Sequence, residues 1–241
     1  HRRFLIDYFT GVFEGSTARG KPFASNDKTG DSRISGSLAS LAGLESALES
    51  GDPDRIDEAI RLILLLHGMI LSFGGIPLLY YGDEIGTLND ISYMDDISKA
   101  NDNRWIHRPR IDWKKTENRH KHGSHEYRLF TSLQKMIAAR KAIPAFADFN
   151  NREVIDVKNP HLFVFLRSLP DREGGNVLVI ANFDVHPQHL ELSDLGNRGY
   201  FQHNKLTDLY SGESPPVFKD QLVIPPLRFF WLSDNTARMV L

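Results

Sequence analysis

The sequence predicts a chain of two characters: an α/β portion followed by an all-β portion. Three observations point there. A long apolar-striped segment runs directly into a short, continuous apolar one. A second amphipathic segment follows and stops at Pro144. Beyond Pro144, short apolar or alternating runs recur between turn residues, the pattern of an antiparallel sandwich. The change of character places a boundary near residue 147, dividing 1–147 from 148–241.

Residues 1–13 fit a short helix. From Gly11 to Gly36 the chain is dense in Gly, Ser, Thr, Asn and Asp and reads as a long loop; loops of that length without structure are usually functional or disordered. Asp52 suits an N-cap, Pro53 the first helical position and Asp54 the positive end of the helix dipole. Ile56, Ile60, Ile63, Leu64 and Leu71 then recur at helical spacing, giving a helix to Phe73. Ile76–Tyr81 is apolar without alternation, as expected of a strand covered on both faces. A helix feeding such a strand is half of an α/β repeat. Leu62–Tyr81 has the length of a membrane span, but Gly74, Gly75 and Pro77 break it.

Residues 89–113 form a polar loop in which Trp105 and Trp113 stand among Arg104, Arg108 and Arg110. Ser124 can cap a helix to about Lys141, with Tyr127, Phe130, Leu133 and Ile137 as its apolar stripe. Strands are expected over 161–169, 176–183, 189–195, 205–210, 221–224 and 228–232.

Bulk composition narrows the function classes. A net charge of −2 offers no broad attraction to nucleic acid or to an anionic membrane. The chain has no cysteine, which excludes disulfides and thiolate-bound metal. That suits a cytoplasmic protein, with secretion left open. The histidines of RHKHGSH and the aspartates of 90–102 match no zinc or EF-hand spacing. No metal or cofactor is expected.

Asp83 and Glu84 end the run GGIPLLYYGDE. Neighbours on an extended chain project to opposite faces, whereas a retaining glycosidase needs carboxylates that face each other about 5–5.5 Å apart. They are better read as polar groups anchoring loops. Arg104 beside Trp105 can serve as a sugar or anion contact, or as a surface pair with a nearby Asp. Asp31 and Arg33, in TGDSRISG, can lie on one side of the loop or simply form a solvated turn.

GGIPLLYYGDEIG resembles the eighth barrel strand of the α-amylase superfamily, glycoside hydrolase family 13. VLVIANF, KLTDLYSGE and LVIPPLRFFWL resemble strands of that family's C-terminal sandwich. The resemblance implies the C-terminal portion of an incomplete (β/α)8 TIM barrel, with its eighth strand near 76–81, followed by an antiparallel β-sandwich. Within the family, HRRFLIDYFTGVFEGSTARGKPF, TGDSRISG, YYGDEIGTLND and NDNRWIHRPR are similar to amylosucrase segments in the same order. Amylosucrases transfer glucosyl from sucrose to an α-1,4-glucan and release fructose.

On that resemblance Arg104 corresponds to an arginine that closes the bottom of the sucrose pocket by pairing with an upstream aspartate. Arg2 and Arg33 correspond to arginines near the acceptor, Phe4 to an aromatic beside them, and Asp31 lies in the same motif. Sucrose and a glycogen-like α-glucan are the implied partners. The family's nucleophile, acid/base and stabilising carboxylates lie on earlier strands, the last in a His-Asp motif, and no His-Asp dipeptide occurs here. No catalytic residue is therefore expected in this chain, which resembles a C-terminal fragment inactive alone. A sucrose hydrolase or another α-amylase-family glucan hydrolase, and a non-catalytic carbohydrate-binding module using Trp105 and the β-sandwich, are the alternatives.

Overall fold

In the computed structural model, residues 1–169, 175–193 and 206–234 are described. They fall into two compact units. The first is His1–Ile63 with Leu79–Thr131; the second is Leu64–Leu78 with residues from Ser132 onward.

In the first unit, α1 (Arg2–Phe9) leads to a hairpin of β1 (Lys21–Phe23) and β2 (Arg33–Ser35), paired antiparallel with Pro22 opposite Ile34. The expected structureless loop therefore contains a small sheet, whose strands are too short to show alternation. Two short helices follow, α2 (Leu38–Leu41), capped by the Ser37 hydroxyl, and α3 (Leu44–Ser50). The long helix α4 (Pro53–Phe73) forms where its spacing predicts. The 89–113 loop is a chain of 3-10 turns tied to the hairpin: the Tyr93 hydroxyl donates to Asn103 Oδ1 at 2.7 Å, and Asn103 Nδ2 donates to the Pro22 carbonyl at 2.7 Å. Asn89 makes three further attachments, one to the chain at Arg19 and two to α2 and its cap. Its Nδ2 donates to the Arg19 carbonyl, its Oδ1 accepts from Ser37 N at 2.8 Å, and its own N–H donates to Ser40 Oγ at 2.9 Å.

The segment 76–81 is a correction. It forms no strand, and Ile76 and Leu78 are 79% and 83% exposed. An apolar run becomes a buried strand only where neighbouring strands supply ladder partners, and the described residues supply none there.

A one-turn helix, α5 (Trp113–Thr116), precedes α6 (His125–Ala142), whose N-cap is the expected Ser124, its hydroxyl accepting from Tyr127 N at 3.0 Å. The buried face of α6 is Glu126, Leu129, Leu133, Met136 and Ala139, so only Leu133 of the expected stripe is fully buried.

The second unit holds an antiparallel sandwich. Its larger sheet has the order β3 (Arg152–Ile155), β4 (Leu162–Arg167), β5 (Val177–Asn182), β10 (Phe229–Ser233), β7 (Thr207–Asp208). The smaller sheet is β6 (Gln188–Glu191), β9 (Gln221–Ile224), β8 (Val217–Phe218). Leu162, Val164, Leu166, Leu178, Ile180 and Leu232 meet Leu190, Leu222 and Ile224 in one core. The expected strands over 161–169, 176–183, 221–224 and 228–232 form, while those over 189–195 and 205–210 run partly outside the described residues; β3 and β8 were not expected.

The other face of the larger sheet is also covered, which explains why every residue of β5 is buried. Phe73, ending α4, packs edge-on against Phe165 at 5.4 Å between ring centres. A Cβ on Gly68 would stand 2.7 Å from the Phe229 ring, so only glycine permits that approach.

Three arginines close the C-terminus of α4. Arg167 donates to the Ser72 carbonyl, Arg140 to the Leu71 carbonyl, and Arg152 to the Phe73 carbonyl at 2.7 Å. The last turn of a helix leaves such carbonyls without intrahelical donors. Cations there also complement the helix dipole. Burial, reinforced by Arg140 and Arg152, pushes the Arg167 guanidinium down to about 10.

Candidate functional site

A pocket of about 450 Å³ lies between α1 and the β1–β2 hairpin. Arg2, Leu5, Ile6 and Phe9 line one side, and their i, i+3, i+4, i+7 spacing puts them on one helix face. Ala24, Asn26, Asp31, Ser32, Arg33 and Ile34 line the other. The walls meet closely because Gly20 lies between them. A Cβ there would sit 2.5 Å from the Phe9 carbonyl oxygen and 2.6 Å from Ile34 Cγ2. The Gly20 N–H also donates to that Phe9 carbonyl at 2.8 Å.

The hairpin loop is shaped by its own side chains. Asn26 Oδ1 accepts from Lys28 N at 2.9 Å, the Gly30 N–H returns to the Asn26 carbonyl at 2.8 Å, and Gly30 takes φ +70°. Ala24 is held at φ +50°. A left-handed backbone at a non-glycine residue costs about 1–3 kcal/mol and persists where its surroundings fix it.

Arg2 Nη1 lies 3.1 Å from Asp31 Oδ2, linking helix to loop. Arg33, on β2, makes no ion pair among the described residues. The Ser32 hydroxyl is buried with no hydrogen-bond partner. The structure thus brings Arg2, Asp31 and Arg33 to one pocket, and adds Ser32, Ala24 and Asn26, which sequence reasoning did not single out. The 2-5-6-9 spacing was the available signal for the helix side.

Phe4 and Arg104 are not among the residues lining this pocket. Phe4 stands on another face of α1, edge-on to Phe13 at 5.1 Å. Arg104 binds Asp102 through Nε at 2.8 Å and Nη2 at 2.7 Å, and its guanidinium lies 5.1 Å from the Phe23 ring centre. Those bonds hold the Asp102 carboxyl at about 2, well below its ordinary value. Lys99 and Arg108 lie over the Trp105 ring at 5.2 and 5.7 Å.

Asp83 and Glu84 sit in a 3-10 turn entered through Gly82 at φ +90°. Glu84 Oε2 reaches back to accept from Gly82 N at 2.8 Å. The pair is therefore not on an extended strand, and Glu84 shapes its own turn. No helix among the described residues is long and apolar enough to cross a membrane.

Residues 152–231 match the family model described as the maltogenic amylase C-terminal domain. The chain is 28% identical over 205 residues to trehalose synthase/amylase of Mycobacterium tuberculosis, covering 75% of this chain and 33% of that protein. It is 26% identical over 189 residues to glucosylglycerate phosphorylase of Escherichia coli, covering 78% and 30%. The chain thus spans about a third of the length of these relatives. Its fold is like that of pullulanase from Paenibacillus barengoltzii, at TM-score 0.56, 17% identity and coverage of 80% and 28%. It is also like trehalose-6-phosphate hydrolase from Bacillus licheniformis, at TM-score 0.53, 20% identity and coverage of 72% and 38%. Residues 152–231, which hold most of the sandwich, thus resemble a C-terminal domain of the α-amylase family. The narrower likeness to amylosucrase is not carried by these matches.

Proposed function

We propose that this chain is the C-terminal part of an amylosucrase-like enzyme of the α-amylase family, with 1–147 contributing the end of a (β/α)8 barrel and 148–241 the sandwich. One observation supports this above the rest. Arg2 and Asp31, 29 positions apart, pair on the same pocket that Arg33 lines, and these residues belong to the segments that resemble amylosucrase. The pocket would serve as an acceptor subsite for α-glucan. Apolar walls offer the sugar's C–H faces a surface, and the guanidinium and hydroxyl groups offer donors to its oxygens.

In the intact enzyme a carboxylate attacks the glucosyl carbon of sucrose. The bond to the fructosyl oxygen breaks, and an acid protonates that oxygen as fructose leaves. An acceptor hydroxyl then attacks the same carbon, giving its proton to the same residue, now the base, and releasing the first carboxylate. Those carboxylates would come from barrel strands outside this chain. Arg104 would stiffen the sucrose pocket, and Arg2 and Arg33 would favour glucan over water as acceptor. A binding module built on Trp105 is less well supported, since two cations already occupy its ring.

The test is an assay of the parent protein on sucrose with and without glycogen. Glucan elongation with fructose release is expected. Glucose and fructose alone would indicate a hydrolase, and an inert response to sucrose would sink the proposal.

A further inference from the structure

We infer that the pocket between α1 and the β1–β2 hairpin takes a small carbohydrate bearing an anionic group, a phosphate or a carboxylate. This rests on the reading of the pocket as a sugar subsite, and adds to the neutral glucan a ligand that also meets the charge of the site. Two guanidinium residues and one carboxylate line it, leaving one positive charge uncompensated. Arg2 is engaged by Asp31 at 3.1 Å, which masks the one carboxylate that would repel an anion. Arg33 makes no ion pair or side-chain hydrogen bond among the described residues. Its planar fork of donors matches a phosphate or carboxylate.

The Ser32 hydroxyl, buried on the same lining without a partner, is a second donor whose burial costs free energy until something accepts from it. A neutral sugar satisfies the hydroxyl but leaves the guanidinium charge unmatched; an anionic sugar satisfies both. Ala24, held at φ +50°, lies on that lining too. Leu5, Ile6 and Phe9 supply an apolar wall for the sugar ring.

The test is titration of the 241-residue chain, by calorimetry or NMR, with glucose, glucose 6-phosphate, glucuronate, maltotriose and inorganic phosphate. At least one anionic sugar should bind about tenfold or more tightly than glucose, with the advantage shrinking as salt is added. The tighter of glucose 6-phosphate and glucuronate identifies the anion. Arg33→Ala, at an exposed position, should abolish the advantage. Arg2→Ala should weaken it by unmasking Asp31, and Asp31→Asn in that background should restore it. Equal affinity for glucose and both anionic sugars overturns the inference, as does an advantage that survives Arg33→Ala. So does inorganic phosphate binding as tightly as the sugar phosphate. If maltotriose binds while the anions gain nothing, the inference fails and the sugar subsite stands; if no sugar binds, both fail.

Discussion

Arg167 donates through Nη1 to the carbonyl oxygen of Ser72, so a guanidinium with no exposed surface terminates α4 from within the sandwich. The same group donates to the Ala145 carbonyl at 3.0 Å and to Asn151 Oδ1 at 2.6 Å. Arg167→Leu keeps an apolar stem but orphans several buried acceptors. It should cost at least about 3 kcal/mol, measured by urea denaturation, with Arg167→Lys intermediate. A loss below about 1 kcal/mol would show that water replaces the guanidinium there.

Gly20→Ala should part α1 from β2, because the new methyl meets both the Phe9 carbonyl and Ile34. Overpacking of that kind costs about 1–3 kcal/mol. Sugar binding at the pocket should weaken with it, while the sandwich, monitored by the amide NMR signals of β4 and β5, should be unaffected. Unchanged binding would mean that the pocket tolerates a wider gap.

Asp208 is buried, and its carboxylate accepts from Trp231 N at 2.9 Å and Ser211 N at 3.0 Å. Burial nonetheless pushes its carboxyl above the ordinary value. The folded chain therefore binds that proton more tightly than the unfolded chain. Its stabilising contribution is full below the ordinary carboxyl pKa and is lost as pH rises through the raised value. Melting temperatures across that range should fall less with pH in Asp208→Asn than in the parent sequence. Parallel curves would contradict the assignment.

Asp102 is governed by the opposite shift. Its folded pKa of about 2 means that its contribution holds above the unfolded carboxyl value and disappears as pH falls toward 2. Carbon-detected NMR titration should find that midpoint, and Arg104→Ala should raise it part of the way to the ordinary ~3.9, since the N–H of residue 104 still donates to Asp102. A midpoint unmoved by Arg104→Ala would assign the shift to another group.

Ile76→Ser and Leu78→Ser should reduce self-association of this chain in light scattering, since both side chains are exposed. In the parent the same pair should destabilise, if the segment is a barrel strand there. Unchanged or improved stability in the parent would count against the barrel assignment.

The elements legible in the sequence are those whose pattern needs no distant partner. α4 carries its own cap and stripe, and β4 and β5 are long enough for apolar character to outweigh noise. The buried face of α6 departs from the apolar stripe because Glu126 belongs to it: this acidic residue, contacted by Asn118 Nδ2 at 3.2 Å, shifts the face by one position. Ile76–Tyr81 forms no strand among the described residues for another reason, since apolar character signals a strand only where the neighbours are present. At the pocket, Arg2, Asp31 and Arg33 were named through family resemblance. Ala24 was not, because nothing in an alanine announces a positive φ.

The threefold attachment of Asn89 has a chemical consequence. Its side-chain amide is followed by Asp90 and donates to the Arg19 carbonyl while accepting from Ser37. Deamidation would exchange the donating nitrogen for oxygen and set two acceptors face to face. The ageing of one amide would then loosen the connection between the α2 cap and the chain entering the hairpin, with no other atom of the protein altered.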